Sequence, residues 1–298
     1  MIRPARYTRR IMLKPTGLER ATVRAAFNER RSPDQHADFL FREVENRMLE
    51  RLNLIRLEPV RRVLDVGCGF GQSLAKLAVR YPDALMIGAD LADRLLACAA
   101  GEPGNRASLA EGASRLLSRL GIGSARRLPA TVPLWIGADA HALALAANSI
   151  DMVWSNLAAH WFDDPLAAVA EWHRVIRPNG LLMFSAFGVD TLKEVRPSGA
   201  SGWPAFQDMH DWGDALAAAG FADPVMDAER LTLTYEDPRK RRDDAQRLAM
   251  TDVLRDQGAT APLALSIELI YGHAWCPEVK RRQDGLATVQ FHRSGSKL

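Results

Sequence analysis

Seven residues, Asp65-Val66-Gly67-Cys68-Gly69-Phe70-Gly71, constrain this chain more than any others. They follow a short apolar run, Arg62 to Val66, and precede Gln72 to Arg80, a helically spaced segment that stops before Pro82. A backbone can come close to a nucleoside ligand only where side chains are absent, and alternating glycines at a strand end provide that. Strand, glycine turn and helix in this order open a nucleotide-binding βαβ unit, which points to an α/β fold with a parallel sheet.

The pattern repeats along the chain. Ala84 to Asp90, Pro133 to Gly137, Asp151 to Ser155 and Gly180 to Phe184 read as the next four strands, with helical segments in several gaps. Beyond Gly220, the alternating Leu231-Thr232-Leu233-Thr234-Tyr235 and the apolar Leu265 to Tyr271 add two strands that close one edge. The expected architecture is Rossmann-like, a mostly parallel seven-stranded sheet with helices on both faces. Ahead of the first strand, Leu40, Val44, Met48 and Leu52 recur every four residues and predict an amphipathic helix over His36 to Leu52.

Domain organisation follows from the remainder. Residues 1–30 read as a basic extension and 31–298 as a single catalytic domain. An insertion rich in Gly, Ala, Ser and Arg spans about 99–130, with Leu109, Leu116, Leu117 and Leu120 suggesting one short helix. A helical cap segment is expected at about 237–265, and its densely charged part, Asp237 to Gln257, reads as a solvated face.

Composition excludes several classes. A net charge of +3, from 39 basic against 36 acidic residues, is too small for a nucleic-acid binder. Cys68, Cys98 and Cys276 form no CxxC pair for zinc and no disulfide framework, which suits a reducing compartment. No run reaches the roughly eighteen apolar residues of a membrane span, so a soluble, cytoplasmic protein is expected. Arg3, Arg6, Arg9, Arg10 and Lys14 precede the first acid, Glu19; this is either a basic tail or a transit segment, which would place the protein in the mitochondrial matrix.

Spacing and charge then select the ligand. A dinucleotide fingerprint needs its third glycine at position 72, where Gln72 stands. Asp65 would repel a pyrophosphate but suits the ammonium and sulfonium of S-adenosylmethionine. Gly67, Cys68, Gly69 and Gly71 form the cradle; Asp90, followed by Leu91, is placed to accept from the ribose hydroxyls; Asp139-Ala140 is placed to read the adenine amino group; Asn156 closes the fourth strand. The plainer alternatives are a helix N-cap for Asp90 and a small turn residue for Cys68.

Val63 to Gly71 resembles the first motif of the class I S-adenosylmethionine-dependent methyltransferases residue for residue. Ser155-Asn-Leu-Ala-Ala-His-Trp161, Phe184 to Leu192, Met209-His-Asp-Trp-Gly213 and Tyr271-Gly-His-Ala-Trp275 resemble the BioC branch, the malonyl-acyl-carrier-protein O-methyltransferases of biotin precursor synthesis, over about Val23 to Trp275. That resemblance implies methyl esterification of the free carboxylate of a malonyl thioester on an acidic carrier protein. A carboxylate is already ionised at neutral pH, so the site needs positioning and an anchor rather than a base. Arg196 is the first candidate anchor, His160 and His210 follow, and Trp161 is a candidate pocket wall.

Arg239 to Arg242 or the Arg126-Arg127 pair would dock the carrier, unless they are plain surface charge. Relatives carry a tyrosine just before the first helix, where this chain has Arg31-Ser32-Pro33-Asp34. Complex I assembly factors, associated with arginine hydroxylation, share similar motifs, and a non-catalytic scaffold is a third reading. Nucleic-acid amino-methylation is disfavoured, because Asn156 is followed by Leu157-Ala158 rather than by the Pro-Pro-aromatic turn of those enzymes.

Overall fold

Arg62–Val66 forms β1, and its alternating side chains divide the molecule. Val63 points to one apolar layer, Leu64 and Val66 to the other. The computed structural model describes residues 17–29, 37–57, 59–101, 133–195, 204–249 and 263–278. In chain order its elements are α1 (Arg20–Asn28), α2 (Ala37–Asn53), β1, α3 (Gln72–Arg80), β2 (Leu85–Asp90), α4 (Asp93–Gly101), β3 (Leu134–Gly137) and β4 (Ile150–Ser155). There follow a 3-10 turn (Ala159–Trp161), α5 (Pro165–Val175), β5 (Ile176–Phe187), α6 (Met209–Ala219), β6 (Ala222–Tyr235), α7 (Pro238–Ala249) and β7 (Leu263–Trp275).

The strands make one seven-stranded sheet in the order β3-β2-β1-β4-β5-β7-β6. β1 to β5 run parallel, while β7 lies antiparallel to both β5 and β6. The expected mostly parallel sheet with two added edge strands is therefore found. Leu40, Val44, Met48 and Leu52 of α2 cover one face with Leu74 and Leu77 of α3, over Met152, Trp154 and Met183. Val169 and Trp172 of α5 and Trp212 and Leu216 of α6 cover the other, over Val153, Leu182 and Phe184. Each such side chain, fully buried, contributes about 1.5–3 kcal/mol.

Some bounds differ from expectation. β5 starts at Ile176 rather than Gly180, because Ile176 already pairs with Ile150 before the register slips beside Met152. β6 starts nine residues before Leu231, at Ala222: its charged first half has a weak strand signal and is drawn into the sheet by pairing with β7. α7 is not uniformly solvated, since Ala245 and Leu248 are buried. Residues 102–132 and 250–262 lie outside the described residues; of the expected insertion only 99–101 are described, as the end of α4, and of the cap segment the helix α7 and the first residues of β7. Arg20–Asn28, inside the expected basic extension, is a helix laid against the domain. Among the described residues no helix is long and apolar enough to cross a membrane.

Candidate active site at the glycine turn

The turn sits where β1 ends. Gly67, Gly69 and Gly71 all have positive φ (73°, 52° and 76°), a region costly for other residues. Gly67 N–H donates to the Ala89 carbonyl at 2.8 Å and Gly71 N–H to the Cys68 carbonyl at 2.8 Å, which folds the turn back toward β2. A Cβ on Gly71 would lie 2.2 Å from the Trp135 ring, whereas one on Gly69 would meet nothing within 4 Å. Gly69 therefore presents bare backbone to open space, the surface a ligand needs. Cys68 is buried and burial pushes its thiol up, so it is a turn residue and no nucleophile.

Carboxylates ring this surface. Asp65 is buried on β1; burial first, then the charges of Glu45 and Asp90, push its carboxyl well above the usual range. Asp90 accepts the Gly69 N–H through Oδ2 at 2.9 Å and the Ala92 N–H through Oδ1 at 2.8 Å. The Asp90 carboxylate thus holds the glycine turn and the bend that leads into α4 at once, and a carboxylate so placed suits hydroxyl donors. Leu91 follows it, half-buried.

The Asp139-Ala140 corner carries partners that the sequence does not announce. Asp139 Oδ1 accepts the His141 N–H at 3.0 Å and meets the His141 ring, while Oδ2 pairs with Arg20 from α1. Burial pushes the Asp139 carboxyl up, but His141 and Arg20 outweigh it and hold it below its ordinary value. Both oxygens meet protein partners, so an adenine amino group would share Asp139 with His141 and Arg20. Ala140 beside it is buried. Arg20 also reaches Asp163 at 3.0 Å, Arg24 pairs with Asp93 at 2.5 Å, and Asn28 Oδ1 accepts the Arg94 N–H at 3.1 Å, so α1 straps this rim.

After β4 the chain turns through a strained residue. Leu157 is buried at φ 47°, and its N–H donates to Ser185 Oγ at 2.9 Å, which in turn donates to Asn156 Oδ1 at 2.9 Å. Asn156 Nδ2 donates to the Phe41 carbonyl at 3.1 Å, so its side chain is spent on fastening α2. A Cβ on Gly67 would lie 2.3 Å from Ala158 Cβ, which seats the following 3-10 turn directly against the glycine turn. Strain of this kind costs about 1–3 kcal/mol and concentrates at functional sites.

His160 and Trp161 lie on that 3-10 turn. His160 is 1 % exposed and packs against Trp161, Phe187 and Phe206, with ring centroids 4.7, 4.5 and 5.8 Å away. Burial lowers its pKa to about 3, so the ring is neutral. Its Nδ1 accepts the Phe187 N–H at 3.4 Å, which puts the ring proton on Nε2. Nε2 and Trp161 Nε1 are both buried and, among the described residues, have no hydrogen-bond partner. Phe27 of α1 meets Trp161 edge-on at 5.7 Å. His210, by contrast, is exposed in the first turn of α6 and pairs with Asp208 at 2.7 Å, so it is no buried anchor. Arg196, Arg126-Arg127 and Arg31 to Asp34 lie outside the described residues.

Residues 64–184 match the family model described as a methyltransferase domain. The malonyl-acyl-carrier-protein O-methyltransferase of Laribacter hongkongensis is 39% identical over 305 residues, which cover 92% of this chain and 96% of that protein. The chain belongs to the malonyl-acyl-carrier-protein O-methyltransferase family. A second member of this O-methyltransferase family, from Gallionella capsiferriformans, is 39% identical over 298 residues, with the same coverage of 92% and 96%. In fold, the chain is similar to phosphoethanolamine N-methyltransferase 2 of Haemonchus contortus, solved with S-adenosylhomocysteine: TM-score 0.53, 14% identity, covering 86% of this chain and 60% of that one.

S-adenosylmethionine is the cofactor of this O-methyltransferase family member, and the residues present fit it. Gly69 leaves room for a close approach, and the buried Asp65, burdened by the charges of Glu45 and Asp90, is an acid that a cationic ligand suits. The sequence reading missed Glu45, Leu157, Ser185 and Arg20. Leu157 and Ser185 carry no sequence signal, because a positive φ on leucine is imposed by the surrounding packing. Arg20 likewise has no local signal, because its partners Asp139 and Asp163 lie far along the chain.

Proposed function

We propose that this protein transfers a methyl group from S-adenosylmethionine to the free carboxylate of a malonyl group carried by an acyl-carrier protein. The observation that carries the reading is the pair of buried N–H groups, His160 Nε2 and Trp161 Nε1, on the turn that abuts Gly67. A carboxylate oxygen accepts from both, and a neutral pair orients it without quenching its nucleophilicity through a tight ion pair. When bound, the cofactor supplies a methyl group on cationic sulfur; the S–C bond breaks as the O–C bond forms, leaving S-adenosylhomocysteine and a methyl ester.

The protein's own part is alignment. Phe187, Phe206 and Phe27 exclude water from the His160 and Trp161 rings, which strengthens each hydrogen bond to the acceptor. Asp65 holds the cationic side of the cofactor, Asp90 its ribose, and Leu91 and Ala140 flank the base. Arg196 stays a candidate cationic partner by sequence position, four residues beyond the buried Leu192. Arg239, Lys240 and Arg241 on α7 are the basic cluster proposed to meet the acidic carrier. The bacterial relatives favour a cytoplasmic setting over an organelle and methyl transfer over arginine hydroxylation.

Incubation with S-adenosylmethionine and malonyl-acyl-carrier protein should add one methyl group to the carrier by intact-mass spectrometry. An unmodified carrier, with folded protein that binds the cofactor, would refute the assignment.

A further inference from the structure

Glu45 is a buried charge that the chemistry above does not use. It projects from α2 and is 2 % exposed. Lys76 of α3 pairs with Oε2, while Oε1 is buried and, among the described residues, has no hydrogen-bond partner. A carboxylate oxygen taken out of water is kept only where it is paired or where its charge serves a ligand.

Its position speaks for the second. Asp65 stands beside Trp154 in the β1–β4 register, and Trp154 belongs to the layer that α2 covers with Val44 and Met48. Asn156 fastens α2 at the Phe41 carbonyl, one turn before Glu45. Glu45 is thereby held close enough for its charge to be the second-largest influence on Asp65, after burial. Among the described residues Asp65 has no ion-pair partner, and Lys76 is the one cation that pairs with Glu45. Glu45 Oε1 and the Asp65 carboxyl thus lack a cationic partner among the described residues, a demand for a compact cation that can donate hydrogen bonds, and an ammonium meets it where a sulfonium, having no proton, does not.

We propose that Glu45 is the second carboxylate of an ammonium site: Oε1 accepts a hydrogen bond from the α-ammonium of the methyl donor, beside Asp65. This rests on the methyl-donor reading of the glycine turn. It separates the roles of the two acids on one layer from that of Asp90, which serves the nucleoside end.

The test is calorimetry on the full chain with two ligands that share a nucleoside. S-adenosylhomocysteine carries the ammonium and methylthioadenosine lacks it. Glu45→Gln should weaken S-adenosylhomocysteine about tenfold and leave methylthioadenosine within about twofold. Lys76→Met, which removes the internal competitor, should leave S-adenosylhomocysteine binding intact or tighter. Unchanged binding of both ligands to Glu45→Gln, or an equal loss on both, would overturn the proposal. So would a Lys76→Met variant that loses as much as Glu45→Gln, since that is the mark of a merely structural ion pair. Failure of the unaltered protein to bind either ligand would instead sink the methyl-donor reading.

Discussion

Asp65 shows what a functional residue costs its own fold. Its folded-state pKa lies above the unfolded value because burial, Glu45 and Asp90 oppose its charge. The folded chain therefore holds that proton more tightly than the unfolded chain. The stabilisation is fully present below the unfolded carboxylate pKa and is lost as pH rises through the folded value. At neutral pH the ligand-free protein bears the penalty, and a bound cation relieves it. Asp65→Asn should melt a few degrees higher than the parent without ligand, yet lose the thermal shift given by S-adenosylhomocysteine. Scanning fluorimetry reads both; a variant that melts lower and keeps the ligand shift would contradict this account.

Legibility at this scale follows contiguity. Asp65, the three glycines and Asp90 were readable because their roles rest on a local turn and a fixed strand spacing. Glu45 and Arg20 were not, because each acquires its role from partners 20 to 143 residues away. For Asp139 the position after β3 is local information, but its pairing with Arg20 is not.

Among elements, α1 is the addition with most consequence. Its ion pairs are half-exposed, and pairs of that kind are worth about 0–1 kcal/mol each, so they orient the helix more than they hold it. Its apolar contact with the site is Phe27 against Trp161. Phe27→Ala should raise KM for the malonyl carrier about five- to tenfold while S-adenosylhomocysteine affinity stays the same, since the indole loses its lateral support. Steady-state kinetics with a parallel binding titration would check it; a matching loss of cofactor affinity would mean that α1 braces the whole rim instead. The helices α2 and α3 were legible from four-residue spacing and from the Pro82 stop, whereas the first half of β6 was hidden by its charges.

For the whole molecule, the small net charge of +3 means that attraction to an acidic carrier must come from local clusters rather than from a global field. The α7 residues Arg239, Lys240 and Arg241 are the described cluster that fits. KM for the carrier should then climb between about 50 and 300 mM salt, by roughly three- to tenfold, and Lys240→Glu should raise KM at low salt and flatten that climb, with KM for S-adenosylmethionine nearly unaffected by salt. A flat carrier response would place docking elsewhere. The fold class was readable as a whole because alternation of strands and helices is a property of the entire sequence, unlike any one contact.

The order β5-β7-β6 sets the sequence of events during synthesis. β7 slots between two strands made earlier, so until residues 263–275 emerge from the ribosome both neighbours are raw edges. The donor half, β1 to β4, can mature on a nascent chain. The corner from Gly188 to Leu192 cannot, because Glu268 and Ser266 of the late strand accept its amide protons. A stalled polypeptide would thus hold a folded glycine turn while two strand edges still lacked their partner.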